Sequence, residues 1–528
     1  MLWNVRSRIS YLVYRISFVI ISALFLILSF PNYNLEFLAW VAFVPLFFAL
    51  EGLNARQSFL LAYLWGVLFF LGTIYWLIHV TLPGMIGVVL YLAVYFGLYG
   101  LLINMSARGS GSGVRGLGLL FFAPAAWVTL EWLRGNLFTG FPWALLAYSQ
   151  SFNLPVIQIA DIFGAYGISF LVVMVNVALF LGMKNLIQKK SDAMPLVITL
   201  ICFICALAYG YYRLNNLFTG EMVKVAVVQG NIPQDKKWDA HFRQEIMARY
   251  ERLTIMAAEE RPDIIIWPET SVPGFLTSER DLLERIGTLT QKVHIPLVVG
   301  APHEDGKKKE VYYNSAFLIS DDGQIQNRYD KMHLVPFGEY IPQKKIFSFV
   351  EKYAPLPIGD FSHGTEFTVF KLPIERRLRT DTQRWHLVKN VLFSSLICFE
   401  DIFPELSRNF VKNGATILVN ITNDAWFKRS SAPYQHAQAS VFRAVENRVN
   451  VIRAANTGFS CFIDQKGRVV KSLVGEGGSI FVEGVTSCDV TVARTRTFYG
   501  TFGDMFAYLC IGAVIVMTFV HNKNTTQG

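Results

Sequence analysis

The sequence predicts a polytopic α-helical membrane bundle of about eight transmembrane helices that carries one large α/β domain outside the cytoplasm. Hydrophobic residues make up 53% of the 528 positions and charged residues only 16%, whereas soluble domains are about 25% charged. The apolar excess is confined to residues 11–212 and 506–520, while 213–503 reads like an ordinary globular sequence. Lys and Arg residues also alternate between the loops, in the way that fixes membrane orientation.

Eight apolar segments are candidates to cross a bilayer as helices, which takes about 17–25 residues. They lie at roughly 12–31, 36–51, 57–80, 83–104, 116–134, 164–183, 195–212 and 504–521. The first is too long, and too embedded among further spans, to be a cleaved signal peptide. The chain is therefore expected to divide into a helical region at 1–212, a soluble domain at 213–503, and a last helix with a tail at 504–528.

Basic residues mark the loops on one side of the membrane. They occur before the first span, after the second, fourth and sixth, and after the eighth: Arg6, Arg8, Arg56, Arg108, Arg115, Lys184, Lys189, Lys190 and Lys523. The alternate loops at 32–35, 81–82 and 135–163 contain neither Lys nor Arg. Because Lys and Arg collect in cytoplasmic loops, both termini are expected in the cytoplasm and the soluble domain outside it.

The composition gives no support to two classes of function. A net charge of +9 could suggest nucleic-acid binding, but many basic residues serve topology and the rest are mixed with acidic ones, without a basic stripe. The nine histidines have no metal-ligand spacing, and the six cysteines form no disulfide framework. We therefore expect no nucleic-acid partner, no metal and no cofactor.

Two features near the outer ends of the spans leave alternatives open. Glu131 and Arg134 lie one helical turn apart at the end of the fifth span, either as functional intramembrane charges or as a structural pair. The aromatic-rich loop 135–163 suits the bilayer–water boundary. It is either a plain interfacial anchor or a surface that contacts a lipid substrate.

The soluble block alternates short β-branched runs with amphipathic stretches. Strands are predicted at Val223–Gln229, Asp263–Trp267, Pro296–Gly300, 390–397, 415–420 and 451–456, and helices at 241–260, 278–292, 402–413 and 432–448. This alternation predicts a layered α/β domain whose strands are buried on both faces.

Reactive residues lie at three strand ends. Glu269 follows the strand that ends at Trp267, Lys331 opens the segment 331–342, and Cys398 lies where a strand gives way to a helix. The partial positive charge of that helix N-terminus would favour the thiolate. Each residue alone has an ordinary explanation, as a core cysteine or a solvated loop residue. Their shared placement makes them candidates for an active site.

The order Glu269, Lys331, Cys398 resembles the nitrilase (carbon–nitrogen hydrolase) superfamily. Three strings and the seven-plus-one arrangement of spans resemble its bacterial apolipoprotein N-acyltransferase branch: His-Leu-Val-Pro-Phe-Gly-Glu-Tyr at 333–340, Asn-Asp-Ala-Trp-Phe at 423–427, and Gln-Gly-Asn-Ile-Pro-Gln at 229–234 followed by Trp238. The resemblance covers essentially the whole chain and implies an α-β-β-α sandwich. Phe399 departs from it, because many relatives have Tyr there, and this puts only the role of the hydroxyl in doubt.

The resemblance implies acyl transfer in two steps through a thioester on Cys398. Glu269 would be the general base, Lys331 would stabilise the oxyanion, and Glu339 and Glu400 would support them. A water-excluding, substrate-binding wall would come from aromatic residues: Trp238, Phe337, Phe399, Trp426 and Phe427.

The resemblance also implies the substrates and the location. The donor would be a membrane phospholipid and the acceptor the N-terminal α-amine of an S-diacylglyceryl-cysteine apolipoprotein, in the last step of lipoprotein maturation. Both are anchored in the bilayer, which explains a catalytic domain tethered at both ends to membrane helices. The enzyme would be a monomer of the bacterial inner membrane, with its catalytic domain in the periplasm.

Two rival functions remain. One is a membrane-tethered amidase or nitrilase that hydrolyses a C–N bond, but hydrolysis of a soluble amide requires no membrane bundle. The other is a transporter or scaffold with an inactive domain, against which the intact set of Glu269, Lys331 and Cys398 argues.

Overall fold

The computed structural model describes residues 2–108, 115–216, 220–306, 310–342, 360–376 and 386–526. The chain divides into two compact units. The first comprises Met1–Asn216 together with Phe502–Gly528, and the second comprises Leu217–Thr501.

The first unit is built from α-helices. Their bounds are α1 Leu2–Leu28, α2 Phe43–Leu50, α3 Ala55–Thr73, α4 Leu82–Arg108, α5 Arg115–Asn136, α6 Leu154–Ile157, α7 Ala160–Ile187 and α8 Met194–Asn215, and a final helix spans Met505–Thr526. Among the described residues, six helices are long and apolar enough to cross a membrane, and two shorter apolar helical stretches lie at Glu36–Leu50 and Met505–Phe519. The protein is therefore an integral membrane protein, while the number of eight spans stays a prediction.

Aromatic rings fill the core of this unit. The ring of Phe43 meets Trp65 and Trp127 edge-on, with centroids 5.0 and 4.8 Å apart, an arrangement that aromatic quadrupoles favour. Asn176 on α7 accepts a hydrogen bond from the Phe43 amide at 2.8 Å and donates to the Ala39 carbonyl at 2.9 Å. These bonds satisfy the backbone where the predicted span 36–51 breaks into a 3-10 turn and α2.

The charged pair on α5 is part of the internal structure of this unit. Glu131 and Arg134 are both 3% exposed. The Glu131 carboxylate accepts from the Leu146 amide, and the Arg134 guanidinium donates to the Trp143 carbonyl, each at 2.7 Å. Both charges thus hold the backbone of the aromatic-rich loop, which favours the structural alternative.

The second unit consists of two six-stranded sheets with helices. The strands are β1 Glu221–Gln229, β2 Ile264–Ile266, β3 Leu297–Glu304, β4 Tyr312–Ile319, β5 Ile325–Asp330, β6 Phe370–Arg376, β7 His386–Ile397, β8 Ile417–Thr422, β9 Asn450–Ala455, β10 Cys461–Ile463, β11 Val469–Ser472 and β12 Gly484–Val492. The α-helices are α9 Arg243–Ala258, α10 Arg280–Val293, α11 Pro404–Lys412 and α12 Ala432–Asn447, and a short helix Phe498–Phe502 follows.

The sheets have related topologies. The first has the order β12-β1-β2-β3-β4-β5 and the second β11-β10-β9-β8-β7-β6. The central strands β1–β3 and β7–β9 run parallel, and the flanking strands are antiparallel. The sequence predicted every parallel central strand and none of the six antiparallel flanking ones. Parallel strands buried on both faces read as continuous apolar runs, whereas β5 reads Ile-Gln-Asn-Arg-Tyr-Asp and β11 is largely exposed.

The two sheets face each other across an apolar layer. Side chains from both sheets line it: Val223, Val225, Ile264 and Ile266 from the first, and Leu372, Val391, Phe393, Ile417, Val419 and Ile452 from the second. The other face of the first sheet packs against α9 and α10, in a core that includes Tyr250, Trp267 and Ile286. Helix α12 packs on β9 and β10 of the second sheet. The expected α-β-β-α sandwich is confirmed.

Candidate active site

Cys398 directly follows β7 and opens a 3-10 turn, Cys398–Ile402. Its φ of +53° lies in the left-handed region, which a residue with a Cβ adopts only when surrounding contacts impose it. Two side chains hold the Cys398 carbonyl: Asn420 Nδ2 donates to it at 2.8 Å, and His436 Nε2 lies 3.2 Å from it. The nucleophile candidate is therefore fixed through its own main chain.

Glu269 lies beyond the carboxyl end of β2 and is 7% exposed. Its Oε1 accepts a hydrogen bond from Asn314 Nδ2 at 2.8 Å and lies 3.5 Å from Lys331 Nζ. Gly300 on β3 passes so close to this segment that a Cβ there would lie 2.5 Å from the Pro268 carbonyl oxygen and 2.7 Å from the Glu269 Cα. Because Gly300 has no side chain, the segment that carries Glu269 can pack closely against β3 at the carboxyl end of β2.

Lys331 directly follows β5 and is 1% exposed. Its Nζ lies 2.9 Å from Glu339, and the Glu339 carboxylate also accepts from Asn314 and from the Val335 amide. Burial lowers the pKa of the Lys331 ammonium, but the charges of Glu339 and Glu269 outweigh burial and raise it above its ordinary value. Lys331 therefore stays protonated beside two carboxylates.

Glu400 is fully buried and connects the lysine to the cysteine. Its Oε1 accepts from the Tyr329 hydroxyl at 2.8 Å and from the Met332 and His333 amides at 2.8 and 3.0 Å. Its Oε2 accepts from the Ile397 amide at 2.7 Å. Burial raises the pKa of Glu400 to about 7. The structure places this expected support residue where it ties the segment after Lys331 to the turn at Cys398.

The expectation that a helix N-terminus favours the Cys398 thiolate is wrong. The element after Cys398 is a five-residue 3-10 turn, and α11 begins only at Pro404. Burial and then the charge of Glu269 raise the pKa of the Cys398 thiol well above its ordinary value, and Lys331 offsets them only in part. As a nucleophile, the Cys398 thiol would need a base, and Glu269 is the carboxylate whose charge raises its pKa most.

The expected aromatic wall differs in exposure from residue to residue. Phe399 is 8% exposed and packs edge-on against Phe403 at 5.0 Å, with the His333 ring 5.7 Å away. Trp426 and Phe337 are 42% and 39% exposed, and Trp238 is half-buried. Phe399 thus belongs to a packed aromatic group, whereas Trp426 and Phe337 are exposed.

Three further residues complete the site. Asn314 lies on β4, which was not predicted, and bridges Glu269 and Glu339. His436, which has no local signature, reaches the carbonyl of Cys398 rather than its thiol. Lys237, beside the predicted Trp238, is 3% exposed and donates to the Glu269 carbonyl at 2.9 Å. Only the neighbouring Trp238 signature could have drawn attention to Lys237.

His436 belongs to a second buried charged group. Its Nε2 lies 2.8 Å from Asp401 and its Nδ1 3.1 Å from Asp424, while Arg453 donates to Asp401 at 2.6 Å. Burial lowers the pKa of His436, but the charge of Asp401 outweighs it and raises that pKa to about 9. Gly458 comes so close that a Cβ there would meet the Asp424 carboxylate at 2.0 Å. Within the described residues, no group of three or more His, Cys, Asp or Glu side chains could hold a metal ion.

Comparison with known proteins matches both parts of the chain. Residues 22–178 match the model for the apolipoprotein N-acyltransferase N-terminal domain, and residues 224–497 match the carbon–nitrogen hydrolase model. An apolipoprotein N-acyltransferase from Geobacter metallireducens is 40% identical over 520 residues, covering 96% of this chain and 95% of that protein. One from Allorhizobium ampelinum is 34% identical, covering 83% and 80%.

A solved structure is also similar to part of the chain. The Saccharomyces cerevisiae protein Nit3, a member of branch 10 of the nitrilase superfamily, is 19% identical with a TM-score of 0.37. The match covers 52% of this chain and 92% of Nit3.

Proposed function

The chain belongs to the apolipoprotein N-acyltransferase family, and we propose that it transfers a fatty acyl chain from a membrane phospholipid to the N-terminal α-amine of a diacylglyceryl apolipoprotein. Family membership makes it an acyltransferase of lipoprotein maturation and favours this reaction over the amidase alternative. The observation that carries the proposal is a half-buried cysteine beside a buried carboxylate and a buried ammonium, in a chain whose helical part matches the family as well.

In the first half-reaction, Glu269 takes the proton from the Cys398 thiol as Sγ attacks the ester carbonyl of the phospholipid. The carbonyl oxygen becomes an oxyanion, which the Lys331 ammonium stabilises; one such donor is worth roughly 3–4 kcal/mol. When the C–O bond to glycerol breaks, the protonated Glu269 returns its proton to the leaving oxygen. The products are a lysophospholipid and an acyl thioester on Cys398.

In the second half-reaction, the α-amine of the apolipoprotein attacks the thioester carbonyl. Glu269 takes a proton from the amine nitrogen, and the second oxyanion forms at the same place as the first. When the C–S bond breaks, Glu269 gives that proton to the Cys398 sulfur. An amide has formed, the thiol is restored, and no water is consumed.

The supporting residues have separate roles in this proposal. Asn314 donates to both Glu269 and Glu339, and Glu339 accepts from Lys331. These bonds hold Lys331 and Glu269 at a fixed distance. Glu400 positions the segments on either side. Trp238, Phe399 and Trp426 would shield the thioester from water and contact acyl chains. The exposed ring of Trp426 suits an apolar substrate.

We also propose the division into membrane helices at 1–212, a catalytic domain at 213–503 and a last helix with its tail at 504–528. The domain would face the periplasm of a bacterial inner membrane, with both termini in the cytoplasm, and the enzyme would act as a monomer. The placement of Lys and Arg in alternate loops supports this orientation. In a Cys398→Ala background, a membrane-impermeant maleimide should label the partly exposed Cys488 in intact spheroplasts. If Cys488 is labelled only after the spheroplasts are lysed, the proposed orientation is wrong and the domain faces the cytoplasm.

Mass spectrometry of the full chain tests the chemistry directly. Purified enzyme incubated with phospholipid vesicles should gain one fatty-acyl mass on Cys398, and addition of a diacylglyceryl lipopeptide should remove it and extend the peptide by the same mass. Cys398→Ala should show neither event, whereas Cys488→Ser, a matched loss of a thiol from the same unit, should behave as wild type. A wild-type protein that forms no adduct would disprove the proposed thioester.

A further inference from the structure

Lys237 is a buried ammonium that makes no ion pair with the described carboxylates. It is 3% exposed, and its Nζ donates to the main-chain carbonyl of Glu269 at 2.9 Å. Among the described residues, no carboxylate lies within ion-pair distance of it. Because burying an unpaired charge is costly, a structural lysine at this position would be expected to have an acidic partner.

The loop that carries Lys237 is held by polar bonds to the second sheet. Asn456 accepts from the Ile232 amide and donates to its carbonyl, at 2.9 and 2.8 Å. Asn423 donates to the Gln234 side chain at 2.8 Å. These bonds fix the loop after β1 against the ends of β8 and β9. The main chain that carries Lys237 is therefore held in place by the fold.

The two lysines of the site differ in how many donors remain. An ammonium has three N–H groups. Lys331 directs its donors to both oxygens of Glu339 and toward Glu269. Among the described residues, Lys237 uses one donor, on the Glu269 carbonyl, which leaves two N–H groups for other acceptors. The bond to the Glu269 main chain places this Nζ beside the residue that carries the candidate base, and its charge also interacts with Cys398.

We propose that Lys237 is a second catalytic cation of this site, which donates a hydrogen bond to the oxyanion that forms on the acyl carbonyl in both half-reactions. This inference rests on the proposed function, since it needs an acyl group attached to Cys398. It adds Lys237 to Lys331 as a second cation that stabilises the oxyanion.

The protonation of Lys237 fits this role. Burial lowers the pKa of its ammonium to about 8, while the charges of Glu269 and Cys398 act in the opposite direction. The ammonium is therefore the main form at neutral pH. The negative charge of an oxyanion would favour it further.

The adjacent Lys236 provides a matched control. It is half-buried, and its Nζ lies 4.5 Å from the centroid of the Phe242 ring, in a surface cation–π contact. Lys236→Met and Lys237→Met make the same chemical change at neighbouring positions, one inside the site and one outside it.

The test compares two reactions of Cys398 in the full-length enzyme. Acylation by phospholipid vesicles passes through an oxyanion, whereas alkylation of the thiol by iodoacetamide needs the base but forms none. Lys237→Met should slow acylation about 10²–10³-fold, the cost of losing one oxyanion donor, while alkylation changes less than about tenfold. Lys236→Met should leave both rates at wild-type values, and Glu269→Gln should slow both.

Two outcomes would overturn the inference. Acylation by Lys237→Met near the wild-type rate would remove Lys237 from the reaction, and an equal loss of alkylation would mean that it acts only by positioning Glu269. If the methionine variant does not fold, Lys237→Gln, which keeps N–H donors without the charge, should give a smaller loss of acylation with normal alkylation. Failure of the wild type to form any acyl adduct would instead disprove the proposed function, whatever the variants do.

Discussion

Two buried charged groups flank Cys398, and they differ in what they can reach. The lysine cluster, defined as Glu269, Asn314, Lys331 and Glu339, keeps some accessibility, with carboxylate side chains 9% and 12% exposed. The histidine cluster, defined as Asp401, Asp424, His436 and Arg453, is at most 1% exposed. A small molecule could therefore reach the carboxylates of the lysine cluster, whereas the histidine cluster is sealed from solvent and can only stabilise the fold.

The contacts with Cys398 follow the same division. The histidine cluster contacts the main-chain carbonyl of Cys398, where it can stabilise the left-handed φ of that residue. In the lysine cluster, Glu269 and Lys331 are the charges that most affect the thiol itself. A histidine close to a reactive cysteine is thus not evidence of a cysteine–histidine pair unless it faces the sulfur. Changes in the first cluster should alter chemistry, and changes in the second should alter stability.

The largest effect on activity should come from Glu269→Gln. The amide can still accept the bond from Asn314 but cannot take a proton, so the rate of acyl-enzyme formation should fall about 10²–10⁴-fold, the usual contribution of a general base. The measurement is single-turnover release of lysophospholipid from vesicles. Glu259→Gln, at an exposed position after α9, is the control. A drop of less than tenfold in Glu269→Gln would mean that another group is the base.

Glu400→Ala should affect both stability and activity, because Glu400 lies between the two clusters. Its loss leaves the Met332, His333 and Ile397 amides without their acceptor, and each buried unsatisfied donor costs about 1–3 kcal/mol. The thermal unfolding midpoint of the full chain in detergent should fall and acylation should slow. Glu405→Ala, an exposed carboxylate in the first turn of α11, should change neither by a comparable amount. Normal acylation in a destabilised Glu400→Ala protein would contradict the positioning role.

The difference between the clusters also explains what the sequence could predict. The parallel strands β1–β3 and β7–β9 are apolar runs, so both the strands and the residues at their ends were predicted, including Glu269 and Cys398. The lysine cluster is completed by Asn314 on β4, a flanking strand without that pattern. The roles of Lys331, Glu339 and Glu400 came from the family resemblance, because no local signal distinguishes a catalytic lysine from a solvated one.

No local signature in the sequence predicts the histidine cluster. Helix α12 was predicted, but its amphipathic pattern does not tell which residue faces the turn after β7. The contact between His436 and the Cys398 carbonyl depends on the packing of the helix on the sheet. Tertiary contacts of this kind leave no periodicity in the sequence.

His436→Gln should reveal the second cluster through the pH dependence of stability. The folded-state pKa of His436 is about 9 against an unfolded value of 6.5. Its contribution is therefore fully present below pH 6.5 and is lost as the pH rises through 9. Since one pKa unit corresponds to about 1.4 kcal/mol, the loss is on the order of 3 kcal/mol.

The measurement for His436→Gln is the unfolding midpoint at pH 6 and pH 9, in the wild type and the variant. The wild type should lose more stability over this interval than the variant, which has no ionisable group at that position. His241→Gln, at an exposed histidine, should keep the wild-type pH dependence. Equal pH dependence in wild type and His436→Gln would show that the buried imidazole is not charged in the folded protein.

The smallest effect should come from Phe399→Tyr, which tests the position where the family resemblance leads us to expect Tyr. The Phe399 ring packs against Phe403 and lies near His333, and these contacts use the ring rather than a hydroxyl. If the ring alone is needed at the edge of the lysine cluster, the acylation rate should change by less than about tenfold, or 1.4 kcal/mol. Phe399→Ala should slow acylation more, because it removes the ring that shields the thioester. A large gain in Phe399→Tyr would instead show that a hydroxyl at this position adds a donor for the oxyanion, which would place Phe399 in the chemistry of the lysine cluster and not only in its packing.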